Sequence, residues 1–332
     1  MDARALICSK NQDFTLESVI LANQQPDQVT IRTLWSGVSI GTEFAFIHGK
    51  IALDSYPICT GYMATGVIEG AGAATRGFHS GDLVYFGNNV QMTKKSGEPV
   101  TLANGAHASH AVCPTTAVAH LPKEVPVDVA SSFVMPGVGL HGVDISNPRL
   151  GDKVLVFGVG LVGLSSVAWS NFRGCEVIAV DQDQARLDVA SELGAAHTIN
   201  TAHANLDADL ERLATGGADV VIEATGKPDN IDIALCATKP GGKFIWQGHY
   251  GRFPVSFDFV SAHARRVRMF FPRGDGAEPA RRASLHAMAL GTLKWERTIT
   301  HRVEACDAPD LYSRINSLKE TDVIGALIHW SD

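Results

Sequence analysis

The chain has 332 residues, the length of two ordinary domains rather than one. Hydrophobic residues make up 45% and charged residues 19%, a globular balance that excludes a disordered or fibrous protein. Lys and Arg total 28 against 35 Asp and Glu, a net charge of −7, which argues against a nucleic-acid or anionic-membrane binder, since both need a basic face.

The stretch from Met1 to Asp13 holds no apolar core long enough for a signal peptide. Cys8, Cys59, Cys113, Cys175, Cys236 and Cys306 are scattered, with no CxxC pair and no clustered ligand spacing. Free thiols in a cytoplasmic protein are the expectation. The first ~120 residues read as β-rich, with short alternating runs such as QVTIRTLWSGVSIGTE, ATGVIEGAG and DLVYFG separated by turn residues. From about Val127 the pattern changes to short β-branched runs alternating with helical spacing. VLVFGVG is followed by a helix from about Leu161 to Arg173, then EVIAVDQD and a helix from about Gln184 to Leu193. HTIN, a helix near Leu206–Thr215, ADVVIEATG, a helix from about Pro228 to Ala237 and KFIWQGH come next. Nearly all-apolar strands alternating with helices signify a parallel sheet covered on both faces. The longest apolar stretch, Val154 to Trp169, is shorter than a membrane span needs. After about Ala264 the chain turns mixed, with a basic stretch, a helix near Glu278–Leu290, and ITHRVEA followed by another helix. The expected fold class is α/β: a β-rich module from residues 1–122 and 266–332, and a doubly wound parallel sheet from residues 123–265.

VLVFGVGLVG places Gly158, Gly160 and Gly163 in GxGxxG spacing, after an apolar strand and at the opening of a helix. In that setting the first Gly allows the tight turn, the second lets backbone approach a diphosphate, and the third lets helix and sheet pack closely. The helix N-terminus adds free N–H groups and partial positive charge for the diphosphate. Gly158, Val159, Gly160, Leu161, Val162 and Gly163 are therefore expected to bind a dinucleotide. Asp181 ends the next strand, 18 residues after Gly163. A carboxylate there accepts from ribose hydroxyls and repels a 2′-phosphate. Gln182 to Gln184 offer no Arg or Lys, so NAD(H) is expected over NADP(H). Thr225 and Gly248 end later strands of the same sheet, where ligands of such sheets lie, and are expected cofactor neighbours. His249 and Tyr250 follow Gly248 and are expected to contact substrate. Arg265, Arg266, Arg268 and Arg273 form a basic cluster, either a solvated face or an anion contact, with Arg273 the best candidate for the cofactor diphosphate.

The β-rich start, SGVSIGTE, GDLVYFG, the glycine motif, EATG and ITHRVEACDAP together resemble the medium-chain dehydrogenase/reductase superfamily over essentially the whole chain, closest to its threonine- and polyol-dehydrogenase-like branch. The resemblance implies a GroES-like catalytic domain beside a Rossmann domain. It also implies hydride transfer between nicotinamide and an alcohol or carbonyl, and a homodimer or homotetramer, often formed through the Rossmann sheet edge near KFIWQGHYG. The family's first zinc ligand is the Cys of SGxCGTD; here Ser39 or Ile40 stands in its place. The second is the His of Gly-His-Glu; here the stretch is Gly61-Tyr62-Met63. The third position offers Met135, and residues 88–104 lack the four cysteines of the structural zinc lobe. These residues cannot supply a conventional tetrahedral zinc site, so neither catalytic nor structural zinc is expected.

Without a Lewis acid, a protein group must stabilise alkoxide character. Tyr62 either donates to the reacting oxygen or fills the vacated metal cavity. Thr42 matches the family's proton-relay position, and Glu43 and His48 are candidates to extend it. Asn88 and Asn89 lie on a loop the family often uses for substrate. His107 and His110 are expected to face apart, which counts against joint metal ligation. With His249, the polar residues Asn88, Asn89 and His107 lean toward a hydroxylated substrate such as a sugar or cyclitol. The expected activity is zinc-independent, NAD-linked oxidation of a secondary alcohol or reduction of its ketone. The alternatives are an enoyl or quinone reductase of the same superfamily, a substrate like that of the bacteriochlorophyllide hydroxyethyl dehydrogenases, and a non-catalytic dinucleotide binder.

Overall fold

The computed structural model describes residues 1–252, 254–274 and 277–331. Its contacts divide the chain into two compact units, Met1–Phe133 with Ile299–Asp332, and Val134–Thr298.

In the first unit, the strand Gln28–Val38 is the organiser. Its alternating residues Val29 and Ile31 are fully buried, as a half-buried strand requires. It pairs antiparallel with Ala64–Ala71, His110–Pro114 and Gly325–His329, so the end of the chain returns to the sheet formed by its beginning. Among the described residues, five strands close a small barrel: Asp2–Cys8, Phe14–Leu21, Met92–Lys94, Pro99–Leu102 and Ile58–Cys59. The helix Ala308–Asn316 drops Leu311, Tyr312 and Ile315 into a core shared with Phe14, Phe44 and Ile47.

One local expectation fails here. The alternating run does not continue through SIGTE: the strand ends at Val38 and a helix occupies Ile40–Ile47. Ser39 takes the N-cap position, and Glu43, one residue beyond the N3 position of a capping box, reaches back to accept the Ser39 backbone N–H at 2.8 Å. Thr42 therefore lies in the first turn of a helix rather than at a strand end.

In the second unit, the described residues form a six-stranded, all-parallel sheet. Its spatial order is His197–Asn200, Glu176–Asp181, Lys153–Phe157, Ala218–Glu223, Thr238–Trp246 and Arg268–Phe270. From Lys153–Phe157 the chain builds first to one side and then to the other, which makes the carboxyl end of that strand the topological switch point. The central strands are fully buried at Val154, Leu155 and Val156, the reason they read as unbroken apolar runs. The helices Leu161–Phe172, Gln184–Glu192 and Leu206–Leu213 stand where helical spacing predicts them. The expected helix at Pro228 splits into a 3₁₀ turn, Pro228–Asn230, and a short helix, Ile231–Cys236.

Residues 266–298 differ from the expected division. The strand Arg268–Phe270 pairs in parallel with Thr238–Trp246, and the helix Ala277–Ala289 packs on the helix Val134–Ser146. Both belong with the parallel sheet, so the edge strand is Arg268–Phe270 and not KFIWQ. The mixed composition after Ala264 hid this, because an edge strand of three residues has too little apolar pattern to declare itself.

Gly163 is where the second unit tolerates no side chain. A Cβ there would lie 1.9 Å from the Gly158 carbonyl oxygen, and backbone cannot yield as a flexible side chain does. Gly163→Ala is expected to destabilise the second unit by about 1–3 kcal/mol and to weaken dinucleotide binding, read by thermal denaturation and NADH titration.

Candidate active site

The glycine turn lies at the switch point. Gly158 has φ +83°, a left-handed conformation open to glycine. The Val159 N–H donates to Asp181 Oδ2 at 2.8 Å, and the N–H groups of Gln182 and Asp183 donate to its Oδ1 at 2.8 and 3.1 Å. The half-buried Asp181 carboxylate is thereby fixed against the turn, Oδ2 keeping a lone pair for a ribose hydroxyl. The helix Leu161–Phe172 begins with Gly160 as N-cap and no side-chain cap, so its first N–H groups remain for an anion. Thr225 closes over the turn: a Cβ on Gly158 would meet its Cγ2 at 2.7 Å. The residues from Gly158 to Gly163, Asp181 and Thr225 are thus brought together as the sequence suggests, and they fit a dinucleotide. Gly248 packs against Gly226 beside them.

The basic cluster divides. Arg265 and Arg268 donate to the carbonyls of Thr238 and Gly241 at 3.2 and 2.9 Å, at the amino end of the sheet. Arg273 follows the strand Arg268–Phe270 at the carboxyl end and is exposed, and it alone of these three lies at the ligand end.

In the first unit, the central feature is a buried polar network. Glu43 is 1% exposed, His107 0% and Tyr312 0%. Glu43 Oε2 accepts from Thr60 Oγ1 and Tyr312 OH, both at 2.7 Å, and lies 3.0 Å from His107 Nε2. His107 Nδ1 lies 2.8 Å from Ser36 Oγ, which accepts from Trp330 Nε1 at 2.8 Å. With a proton on Nε2 the imidazole donates to Glu43, and its Nδ1 pairs with the Ser36 hydroxyl. Gly61 makes room for it, since a Cβ there would lie 2.7 Å from the imidazole. Burial pushes the Glu43 carboxyl up, but His107, the Ser39 N–H and Tyr312 outweigh it and hold the group below the ordinary carboxylate value. Burial and the Glu43 charge push the Tyr312 phenol well up.

This network overturns several expectations. Glu43 faces the interior rather than a solvent-bound relay. His48 lies at the other end of the helix, bonded to Asn316 at 2.8 Å, and extends no relay from Thr42. His107 and Asn89 are not substrate contacts. His107 is sealed inside, and Asn89 is buried, with its side chain spent on the backbone of Gly105, His110 and Val112. His107 and His110 do face different surroundings, His110 lying beside Glu69 at 3.6 Å. Asn88 is half-buried, and its carbonyl accepts from the Cys113 thiol. His249 is exposed, and Tyr250 gives its hydroxyl to Glu223.

At the positions of the family's first two zinc ligands, the Tyr62 hydroxyl donates to Ser39 Oγ at 2.5 Å. That bond explains why Ser39, a favoured N-cap residue, makes no side-chain cap. Two neutral hydroxyls and the hydrocarbon of Ile40 do not match zinc's usual thiolate, imidazole and carboxylate donors, and Glu43 is already committed. Among the described residues, the one cluster of three metal-type groups is His301, Glu320 and Asp322, and Arg314 already pairs with Glu320 at 2.8 Å.

A parallel sheet with a glycine turn at its switch point, joined to a barrel-containing β unit, defines a nucleotide-dependent dehydrogenase architecture. The family model described as "Alcohol dehydrogenase GroES-like domain" matches residues 25–123, and that described as "Zinc-binding dehydrogenase" matches residues 162–283. D-xylulose reductase A of Aspergillus niger is 25% identical over 344 residues, covering 94% of this chain and 95% of the relative. A Sinorhizobium meliloti dehydrogenase structure bound to NADP superposes with TM-score 0.86 at 20% identity, covering 99% of both chains. The 2R,3R-butanediol dehydrogenase of Bacillus subtilis gives 0.83 at 20%, covering 98% of this chain and 99% of the other. The chain belongs to the medium-chain dehydrogenase/reductase, alcohol dehydrogenase-like superfamily and is an oxidoreductase.

Sequence reasoning missed Tyr312, Thr60, Ser36 and Glu223. Tyr312 had a faint signal, as an aromatic in the helix that follows ITHRVEA, but nothing local says that it reaches Glu43, 269 residues away.

Because the folded Glu43 carboxyl titrates below its ordinary value of 4.5, its stabilisation is complete above that pH and fades as pH falls through the lowered range. Glu43→Gln is expected to lose about 1–3 kcal/mol at neutral pH and to flatten the acid limb of stability, measured by denaturant unfolding from pH 3 to 7.

Proposed function

We propose that this protein is a zinc-independent, NAD(H)-dependent oxidoreductase acting on a secondary alcohol or its ketone in a small hydroxylated molecule. The observation that carries the zinc-free reading is the Tyr62–Ser39 hydroxyl pair at the metal-ligand positions. Asp181, held at the glycine turn with no neighbouring cation at Gln182 to Gln184, supports NAD over NADP. Relatives named for D-xylulose and 2R,3R-butanediol support a hydroxylated substrate.

When bound, the dinucleotide supplies or takes the hydride. In ketone reduction, Tyr62 OH gives its proton to the oxygen that becomes the alcohol, and the Ser39 hydroxyl turns to donate to the phenolate left behind. In oxidation the two hydroxyls reverse these roles, with Tyr62 as base. Glu43 acts as a positioning residue, holding the Ser39 backbone through its N–H. Thr42, half-buried one residue before Glu43, passes the proton outward. Asn88 and His249 contact substrate, and Arg273 contacts the diphosphate.

The remaining assignments rest on broader grounds. Four of the six cysteines are buried, and burial raises the Cys8 thiol to about 12, so these are packing groups suited to a reducing cytoplasm. Among the described residues no helix is long and apolar enough to cross a membrane. A homo-oligomer would use the edge strand Arg268–Phe270 and the exposed Phe271 that follows it.

Turnover of NADH against a ketone panel and an enone panel tests the reaction. Ketone turnover is expected, enone turnover alone would mean an enoyl or quinone reductase, and tight NADH binding without turnover would mean a binder. One firmly bound metal ion per chain, whose removal abolishes turnover, would overturn zinc independence. Tyr62→Phe is expected to lower kcat about a hundredfold with unchanged NADH affinity; full activity would return Tyr62 to a packing role. Asp181→Arg is expected to weaken NADH and strengthen NADPH, read by fluorescence titration of both.

A further inference from the structure

Glu223 is 0% exposed at the carboxyl end of the strand Ala218–Glu223, and nothing in the hydride-transfer reading uses it. A buried carboxylate is costly unless its lone pairs are matched, and its donors are specific. Oε1 accepts from the Thr225 N–H at 2.9 Å and from the Thr225 hydroxyl. Oε2 accepts from the Gly226 N–H at 3.3 Å and from Tyr250 OH. Of these donors, only Tyr250 comes from outside the turn. It stands in the next loop, its ring packed on Trp246 with centroids 5.5 Å apart. The two loops are also tied by backbone, with the Gln247 and Gly248 N–H groups donating to the Glu223 carbonyl at 2.9 and 2.8 Å.

The turn so held is the one that closes on the glycine motif. The Thr225 hydroxyl accepts from the Lys227 N–H and from Asn230 Nδ2, both at 3.0 Å, and its methyl presses on Gly158. A continuous contact path therefore runs from the Tyr250 hydroxyl through Glu223 and Thr225 to the backbone expected to grip the diphosphate. We infer that Tyr250 is a positioning residue for the cofactor turn, acting through the Glu223 carboxylate on Thr225 and Gly158, and not a substrate contact. This inference rests on the dinucleotide reading of the glycine turn. Removing the hydroxyl leaves a buried carboxylate short of one donor, and the turn must shift or admit water to satisfy it.

The test uses the full chain, NADH titration by fluorescence, amide exchange and steady-state kinetics. Tyr250→Phe keeps the ring and removes the hydroxyl. It is expected to weaken NADH roughly tenfold, the size of one charge-assisted hydrogen bond. Exchange should rise at Thr225 and Gly226 while the strand Lys153–Phe157 stays protected, and the substrate KM at saturating NADH should not change. Thr225→Val, which removes the hydroxyl link at constant shape, should weaken NADH similarly and gives a second route if the first variant folds poorly. NADH affinity equal to wild type in Tyr250→Phe, or a raised substrate KM with unchanged NADH affinity, overturns the inference. A wild-type protein that binds neither NADH nor NADPH overturns instead the dinucleotide reading beneath it.

Discussion

Each unit is organised by one carboxylate that has left water. A buried glutamate is tolerated only when its oxygens are saturated by donors, and that demand ties distant segments together. Glu43 draws in Thr60, His107, Tyr312 and the Ser39 N–H; Glu223 draws in Thr225, Gly226 and Tyr250. In both, a threonine and a tyrosine hydroxyl stand beside backbone N–H groups. Neutral hydroxyls leave a single negative charge in place, whereas a buried lysine or arginine would add a second desolvation cost.

The first of these networks surrounds Ser39 and Tyr62, which pair through their hydroxyls in a family usually served by zinc. A metal site would hold its surroundings by coordination, which is strong and directional. Here the segments around Ser39 and Tyr62 are held by hydrogen bonds that converge on Glu43, reinforced by the Phe14 and Phe44 rings packed on Tyr312 at 5.5 Å each. The helix Ile40–Ile47 is both product and part of this arrangement. Its N-cap serine gives up capping to meet Tyr62, and Glu43 satisfies the N-cap backbone in its stead.

The two networks also explain why several polar residues that look available are not. In sequence, Asn89, His107 and Tyr250 are polar residues on turns near expected sites, the usual place for substrate contacts. In the fold, each is consumed by a neighbour that burial would otherwise leave unsatisfied. Local sequence shows that a side chain can hydrogen-bond but not that an interior group has already claimed it.

What the chain's order of residues determined by itself was the parallel sheet and its glycine turn. These are readable because apolar periodicity and glycine spacing act within ten or twenty residues of one another. Asp181 belongs to the same class, since the strand length and the helix between it and Gly163 set its place. Only tertiary structure decided that SIGTE is helical, that residues 266–298 join the parallel sheet, and that Tyr312 and Trp330 return to Glu43 and Ser36. Those outcomes depend on which buried group needs which donor across separations as large as 294 residues. The pairing is settled by the cost of an unmatched polar group in the assembled core, a quantity that does not exist until the core does.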